Sequence, residues 1–204
     1  MSARIEQKLL VERHHYTGFL IWLKRHGARV LHPDRCVFST YFDTSDLLMF
    51  RQTDEGLVPR SKVRLRCYGG HGDGCQAEHF LEIKKTSEHH RMKETRLVRD
   101  WQIMCLDGHI ERDYGICLPV VSVEYRRSYF DFDGVRVTID RNIRYQALRP
   151  SASGPHTAWD PSFAFEVKAS ANESLDRLEN LLPFPRTHFS KYERAVRAVY
   201  ARSV

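Results

Sequence analysis

The sequence predicts an α+β fold: an antiparallel β-sheet with one apolar and one charged face, its apolar face covered by helices. Three observations carry this. In KVRLRCYG (62–69), Val63, Leu65 and Cys67 alternate with Lys62, Arg64 and Arg66, the period of two that marks a strand. The same alternation of apolar and charged residues recurs in segments near 80, 136 and 165. Near both ends of the chain the apolar spacing changes to that of a helix.

Taken in order, residues 5–11 read as a short strand, and YTGFLIWLKRHG (16–27) as a helix stopped by Gly27. CVFSTYFDT (36–44) is a strand running into an Asp-Thr turn, and KVRLRCYG follows it. GGHGDG (69–74) reads as a hairpin loop, because its glycines lead into a strand with no Gly-Lys-Ser/Thr after them, whereas a phosphate cradle leads into a helix. HFLEIKKT (79–86) and MKETRLV (92–98) are strand-like, with a helical segment over 99–107. PVVSVEYRRSYFDF (119–132) and GVRVTIDRNIRYQ (134–146) form a hairpin closed near Asp133-Gly134. RPSASGPHTAWDPS (149–162) reads as a surface loop and FAFEVKAS (163–170) as a strand. SLDRLENLL and KYERAVRAVYAR give a helical C-terminus.

At 204 residues the chain is long enough to bury roughly 70% of its unfolded surface, and residues 1–204 show no repeat or linker, so a single domain is expected. Lys plus Arg exceed Asp plus Glu by 32 to 26, with 11 His besides, which favours an anionic partner without choosing among nucleic acid, lipid headgroups and phosphate compounds. The five cysteines have neither disulfide nor zinc spacing and suit a reducing cytoplasm. No stretch has the ~20 apolar residues of a membrane span, and MSARIEQKLL lacks a signal peptide's apolar run, so a soluble cytoplasmic protein is expected.

Strand parity gathers the charges. Arg64 and Arg66 share a face, as do Glu82 and Lys84, Arg136, Thr138 and Asp140, and Glu166 and Lys168. Residues two apart on a strand stand about 7 Å from each other, so each like-charged pair costs roughly 2 kcal/mol at an effective dielectric near 20 unless an anion joins it. Helices covering the Val, Leu and Ile faces leave the charged faces pointing away from them. Periodicity alone leaves two arrangements: a barrel closed around its charges, or a sandwich with its charges in water.

Nine short motifs occur together: Glu6-x-Lys8, Tyr41-Phe-Asp-Thr44, Arg64-Leu-Arg66-x-Tyr68-Gly-Gly70, Leu81-Glu-Ile-Lys84, Lys93-x-x-Arg96, Tyr125-x-Arg127, Val135-Arg-Val-Thr-Ile-Asp140, Phe165-Glu-Val-Lys168 and Phe189-Ser-Lys-Tyr192. In this order the sequence resembles the VTC domain, the polyphosphate polymerase catalytic domain of the vacuolar transporter chaperone type, within the CYTH-like triphosphate tunnel metalloenzymes. The resemblance implies an antiparallel β-barrel tunnel of about eight strands with a charged lumen, flanked by helices. It implies that Lys8, Arg64, Arg66, Lys84, Lys93, Arg127, Arg136 and Lys191 bind phosphate, with Arg64, Arg66, Lys84, Arg127, Arg136 and Lys191 also serving catalysis. Glu166 is implied as the ligand of Mn²⁺ or Mg²⁺. The implied partners are ATP and inorganic polyphosphate or triphosphate, with the γ-phosphate of ATP passing to a growing chain and ADP released.

The sequence also departs from that family. Hydrolytic members resemble one another in Glu-x-Glu-x-Lys, whereas this chain has Arg4-x-Glu6-x-Lys8, which weakens a second metal site and favours the polymerase over a triphosphate hydrolase. His188 stands where polymerase-type members have a further lysine, and either Arg126 or Arg127 can face the lumen if the strand bulges. The SPX domain and membrane helices that accompany the eukaryotic members are not among these residues, so a stand-alone catalytic domain is expected, a membrane-bound partner remaining compatible. A non-catalytic polyanion-binding module is the remaining alternative. Nucleic acid is not expected as a partner, because Phe165, Leu81 and Val135 fall on the face opposite the charges.

Taken singly, Lys8, Lys93 and Lys191 are ordinary solvated lysines, and Glu82 and Glu166 are salt-bridge partners for Lys84 and Lys168. His14-His15 and His89-His90 read as surface pairs, since adjacent side chains diverge and no third ligand has a useful spacing. Tyr41 to Thr44 reads as packing and a turn.

Overall fold

A computed structural model describes residues 4–69, 78–132, 134–150, 157–170 and 189–200, with side chains from residue 12 onward and, in the last strand, as far as Lys168. The strands are β1 (Arg4–Glu12), β2 (Arg29–Asp43), β3 (Arg60–Tyr68), β4 (His79–Thr86), β5 (Arg91–Val98), β6 (His109–Glu111), β7 (Gly115–Phe132), β8 (Val135–Ala147), β9 (Thr157–Trp159) and β10 (Ser162–Ser170). The described α-helices are α1 (Tyr16–Arg25), α2 (Leu48–Asp54), α3 (Trp101–Asp107) and α4 (Lys191–Tyr200). The fold is α+β, and the strands pair in the order β1-β10-β8-β7-β2-β3-β4-β5, with β6 on β7 and β9 on β8.

Among the described residues ten strands stand where about eight were expected, because two three-residue strands join the long ones. One of them lies inside residues 149–162: Thr157–Trp159 pairs with Arg144 to Gln146, using backbone groups on the far end of β8. The helix of residues 48–54 was not anticipated either. Leu47, just before it, sits in the left-handed region (φ 59), and the helix amides are capped from Asp43 and Thr44 at a distance no periodicity reports. The predicted stop of α1 is borne out: Gly27 has φ 84, and Ala28 N–H reaches back to the Leu23 carbonyl at 3.0 Å, a closure that favours a residue without Cβ. Residues 70–74 of the glycine-rich loop, Asp133, SLDRLENLL and His188 lie outside the described residues. None of the described helices is long and apolar enough to cross a membrane.

The chain forms two compact units, and β2, β7 and β8 contribute residues to both. The first comprises Met1–Arg35, Tyr125–Ile143 and Asp160–Phe189. Its core sets Phe19 and Leu23 of α1 against Val135, Val137 and Ile139 of β8 and Phe163, Phe165 and Val167 of β10. Phe19 meets Phe165 edge to face with ring centroids 4.7 Å apart. The second comprises Cys36–Glu124, Arg144–Trp159 and Ser190–Val204. Its core sets Phe42, Val63, Leu65, Leu81 and Ile83 against Met49 of α2 and, from α3, Trp101, Met104 and Cys105. In each unit helices cover the apolar face of the strands, as the alternation predicts.

Candidate phosphate-binding faces

In the second unit the register of β3, β4 and β5 arranges the uncovered face in rows. Lys62, Lys84 and Lys93 stand opposite one another in one row, and Arg64, Glu82 and Thr95 form the next. Arg66 stands opposite Phe80 on β4 and Ser39 on β2. Directly opposed residues have Cβ atoms about 5 Å apart, where like charges are destabilising unless an anion lies beside them, as Glu82 does beside Lys93.

Glu82 collects the cations around it. It accepts from Arg64 Nε at 2.7 Å and Lys93 Nζ at 2.7 Å, pairs with Arg64 Nη2, and has Arg66 Nη1 at 3.6 Å. The expected partner was Lys84. The register adds Arg64, directly opposite Glu82 on β3, and Lys93, whose long side chain reaches it from the diagonal position on β5. Burial by itself raises the Glu82 pKa, but the Arg64 and Arg66 charges outweigh it and hold the carboxyl well below the usual carboxylate range. A depressed carboxyl pKa adds stability above the unfolded value of about 4.3, and that stability is lost as the pH falls further. Glu82→Gln is therefore expected to cost stability at pH 7, with the difference from wild type shrinking below about pH 4 in thermal melts.

Tyr41 of β2 stands opposite Arg64 and accepts a hydrogen bond from Arg64 Nη1 at 3.1 Å. It is buried and stacks on Tyr192 with centroids 5.0 Å apart. Burial opposes its ionisation, yet Arg64, Arg66 and Lys191 outweigh burial and bring the phenol down to about 8. Lys191, the first residue of α4, thus joins this face, and Lys62 Nζ donates to Ser190 Oγ at 3.0 Å beside it. Lys62 falls on this face with Arg64 and Arg66, as the alternation has it, whereas Tyr41 is a member that the sequence reading took for packing; its parity with Ser39 on β2 was the available signal.

In the first unit the corresponding face lies on β1, β10 and β8. Lys8 stands opposite Glu166 and Glu6 opposite Lys168; the side chains of Glu6 and Lys8 lie outside the described ones. Across β10, Glu166 stands opposite Thr138 and Lys168 opposite Arg136. Arg136 is exposed, whereas Glu166, Thr138 and Asp140 are buried. Arg127 grips Asp140 with two parallel bonds, Nε to Oδ1 at 2.5 Å and Nη2 to Oδ2 at 2.7 Å, and its Nη2 lies 3.7 Å from Glu166. Burial disfavours the Arg127 cation, but Tyr125, Asp140 and Glu166 more than offset it. Arg126 instead is exposed beside Asp34 at 3.5 Å, so Arg127 is the one on this face. Glu166 also accepts Lys168 Nζ at 2.9 Å, the ion pair the sequence suggested.

Thr138 Oγ1 is buried without a hydrogen-bond partner, directly across from Glu166. A hydroxyl and a carboxylate are hard oxygen donors, the kind Mg²⁺ or Mn²⁺ uses when phosphates and water complete its shell, so the residues present fit such an ion.

Residues 3–112 and 108–200 match the profile of the VTC domain. The chain belongs to the VTC domain family. Among solved structures, this VTC domain is similar to a candidate adenylate cyclase from Vibrio parahaemolyticus, with a TM-score of 0.58 at 15% identity over 97% of this chain and 99% of that one. It is also similar to a candidate adenylyl cyclase from Hippeastrum described as having a dominant triphosphatase activity, with a TM-score of 0.57 at 15% identity over 94% and 95% of the two chains. At such identities these likenesses concern the fold alone. Comparison with curated proteins returned no match.

Proposed function

We propose that this VTC domain is a polyphosphate polymerase that transfers the γ-phosphate of ATP to a growing inorganic polyphosphate chain and releases ADP. The observation that supports it best is the opposed row of Lys62, Lys84 and Lys93 beside Arg64 and Arg66, a concentration of cations of which Arg64, Arg66 and Lys93 gather on the carboxylate of Glu82. Such a surface relaxes when an extended phosphoanion lies along it.

The reaction needs alignment and charge neutralisation more than a side-chain nucleophile. A terminal oxygen of the chain attacks the γ-phosphorus, the bond from that phosphorus to the β–γ bridging oxygen breaks, and ADP departs with the electron pair. Arg64, Arg66, Lys84 and Lys191 hold and neutralise phosphate oxygens on one face. Lys8, Arg127 and Arg136 serve the face that carries Glu166, and Lys93 assists through Glu82. Glu166, with Thr138 beside it, would hold Mn²⁺ or Mg²⁺, which when bound supplies charge for the transferring phosphoryl group.

Incubation of the purified protein with ATP and Mn²⁺ is expected to give long-chain polyphosphate on a gel and ADP in step with it. Orthophosphate from tripolyphosphate, with no polymer, would replace this reading by hydrolysis, which the proximity of Asp140 and Glu166 at Arg127 favours. If the assignment of Glu166 holds, Glu166→Gln abolishes metal-dependent turnover and leaves polyphosphate binding nearly intact; equal loss of both readouts argues against a metal role.

Tyr41 supplies a pH dependence. Its phenol loses a proton near pH 8 in the absence of substrate, placing a negative charge among Arg64, Arg66 and Lys191. Polyphosphate affinity is expected to fall as the pH rises through about 8 and to lose that step in Tyr41→Phe, as measured by calorimetric titration.

A further inference from the structure

We infer that Glu12, His14 and His15 form a binding site for a borderline divalent cation of the Zn²⁺ class, distinct from Glu166. This inference does not rest on the proposed activity.

β1 ends at Glu12, and a single turn of 3-10 helix, Arg13 to His15, leads into α1. Neighbouring side chains on regular elements diverge, which is why the sequence offered no third ligand for the two histidines. The turn overrides this. The His14 and His15 rings approach to 3.8 Å between centroids, and one ligand atom from each of Glu12, His14 and His15 lies within 4.8 Å of the others. Glu12 stands at the N-cap of the turn but makes no side-chain capping bond there; its Oε2 lies 3.4 Å from His14 Nδ1.

Zinc bonds of about 2.0–2.1 Å in a tetrahedral arrangement set ligand atoms about 3.4 Å apart. The Glu12 and His14 atoms already stand at that spacing, and the His15 atom needs only a small side-chain rotation. All three residues are exposed, so such a rotation disturbs no packing. An ion pair between Glu12 and His14 involves two of the three groups and is worth little at a surface.

The donor set selects the ion. Two imidazole nitrogens and one carboxylate suit Zn²⁺, Co²⁺, Ni²⁺ or Cu²⁺, whereas Mg²⁺ prefers oxygen alone. Three protein ligands leave a fourth position for water or an anion oxygen. In register Glu12 stands opposite Ser162, four residues along β10 from Glu166, or about 13 Å, too far for one ion to serve both.

The test is calorimetric titration of the full chain with Zn²⁺, in phosphate-free buffer, on the Glu166→Gln background so that the other ion site is silenced. His14→Ala/His15→Ala is expected to lose one equivalent of Zn²⁺ that the parent binds, with unchanged circular dichroism. Glu12→Gln is expected to bind it more weakly, and Mg²⁺ in excess not to displace it. Any Zn²⁺ taken up by cysteines is common to all variants and cancels in the comparison. With Cu²⁺ as probe, the electron paramagnetic resonance signal should carry coupling to two imidazole nitrogens. The same stoichiometry and affinity in the double histidine variant as in its parent overturns the inference.

Discussion

Arg66→Ala is expected to lower phosphoryl transfer on the order of 100- to 1000-fold while the protein stays folded. The range follows from removing one preorganised donor from developing charge, the role proposed for Arg66. Arg66 is 6% exposed, its Nε donates to Ser39 Oγ at 3.2 Å, and its Nη1 is 3.6 Å from Glu82. That distance is longer than the Arg64 and Lys93 contacts to the same carboxylate, so Glu82 keeps two close cations when Arg66 is removed. The fold therefore loses a secondary partner, whereas a phosphate bound as proposed would lose a guanidinium fork. Arg66→Lys separates the two contributions: a lysine restores charge without the planar fork, and partial recovery of rate is expected. Normal polymer formation by folded Arg66→Ala would remove Arg66 from the site. A melting temperature that collapses in Arg66→Ala and recovers in Arg66→Lys would show that its role is structural.

The same residues show what a sequence discloses and what it does not. Alternation in β3, β4, β8 and β10 is a local property, so the charged faces and the helices covering the apolar ones could be read directly. Which charges meet is a matter of register between distant segments. Glu82 was paired with Lys84 from sequence neighbourhood, and pairing with β3 and β5 brings it Arg64, eighteen residues away, and Lys93. The lysine row has the same origin, since Lys62, Lys84 and Lys93 are unremarkable apart and become a feature only when three strands align. Tyr41 and Thr44 looked like packing. Thr44 does cap α2, but Tyr41, buried against Arg64, lies among the charges. The histidine pair was set aside because adjacent side chains diverge, a rule that a 3-10 turn after a strand end suspends.

Asp43→Ala is expected to destabilise the protein by at least about 3 kcal/mol, because each buried donor left without an acceptor costs about 1–3 kcal/mol. Asp43 is fully buried, and its Oδ1 accepts from Thr44 N at 2.7 Å and Met49 N at 2.9 Å. Its Oδ2 accepts from Phe50 N at 2.9 Å and from the Tyr192 hydroxyl. Alanine strands the first-turn amides of α2 and a buried phenol together. Burial and the adjacent Asp43 charge hold the Tyr192 phenol well above its ordinary pKa, so it remains a donor at working pH and has no ionised form to retreat to. For a chain of this size 3 kcal/mol corresponds to a melting temperature about 6–12 °C lower. Asp43→Asn keeps one carbonyl oxygen and turns its amide group toward donors, so it should recover only part of the loss. The consequence for function runs through α4. Tyr192 follows Lys191 in the chain, and its bond to Asp43 anchors the helix turn that sets Lys191 beside Tyr41. Tyr192→Phe, which removes that bond while preserving the stacking on Tyr41, should therefore cost less stability than Asp43→Ala and still weaken polyphosphate binding. If Tyr192→Phe binds polyphosphate as wild type does, Lys191 is positioned by packing alone.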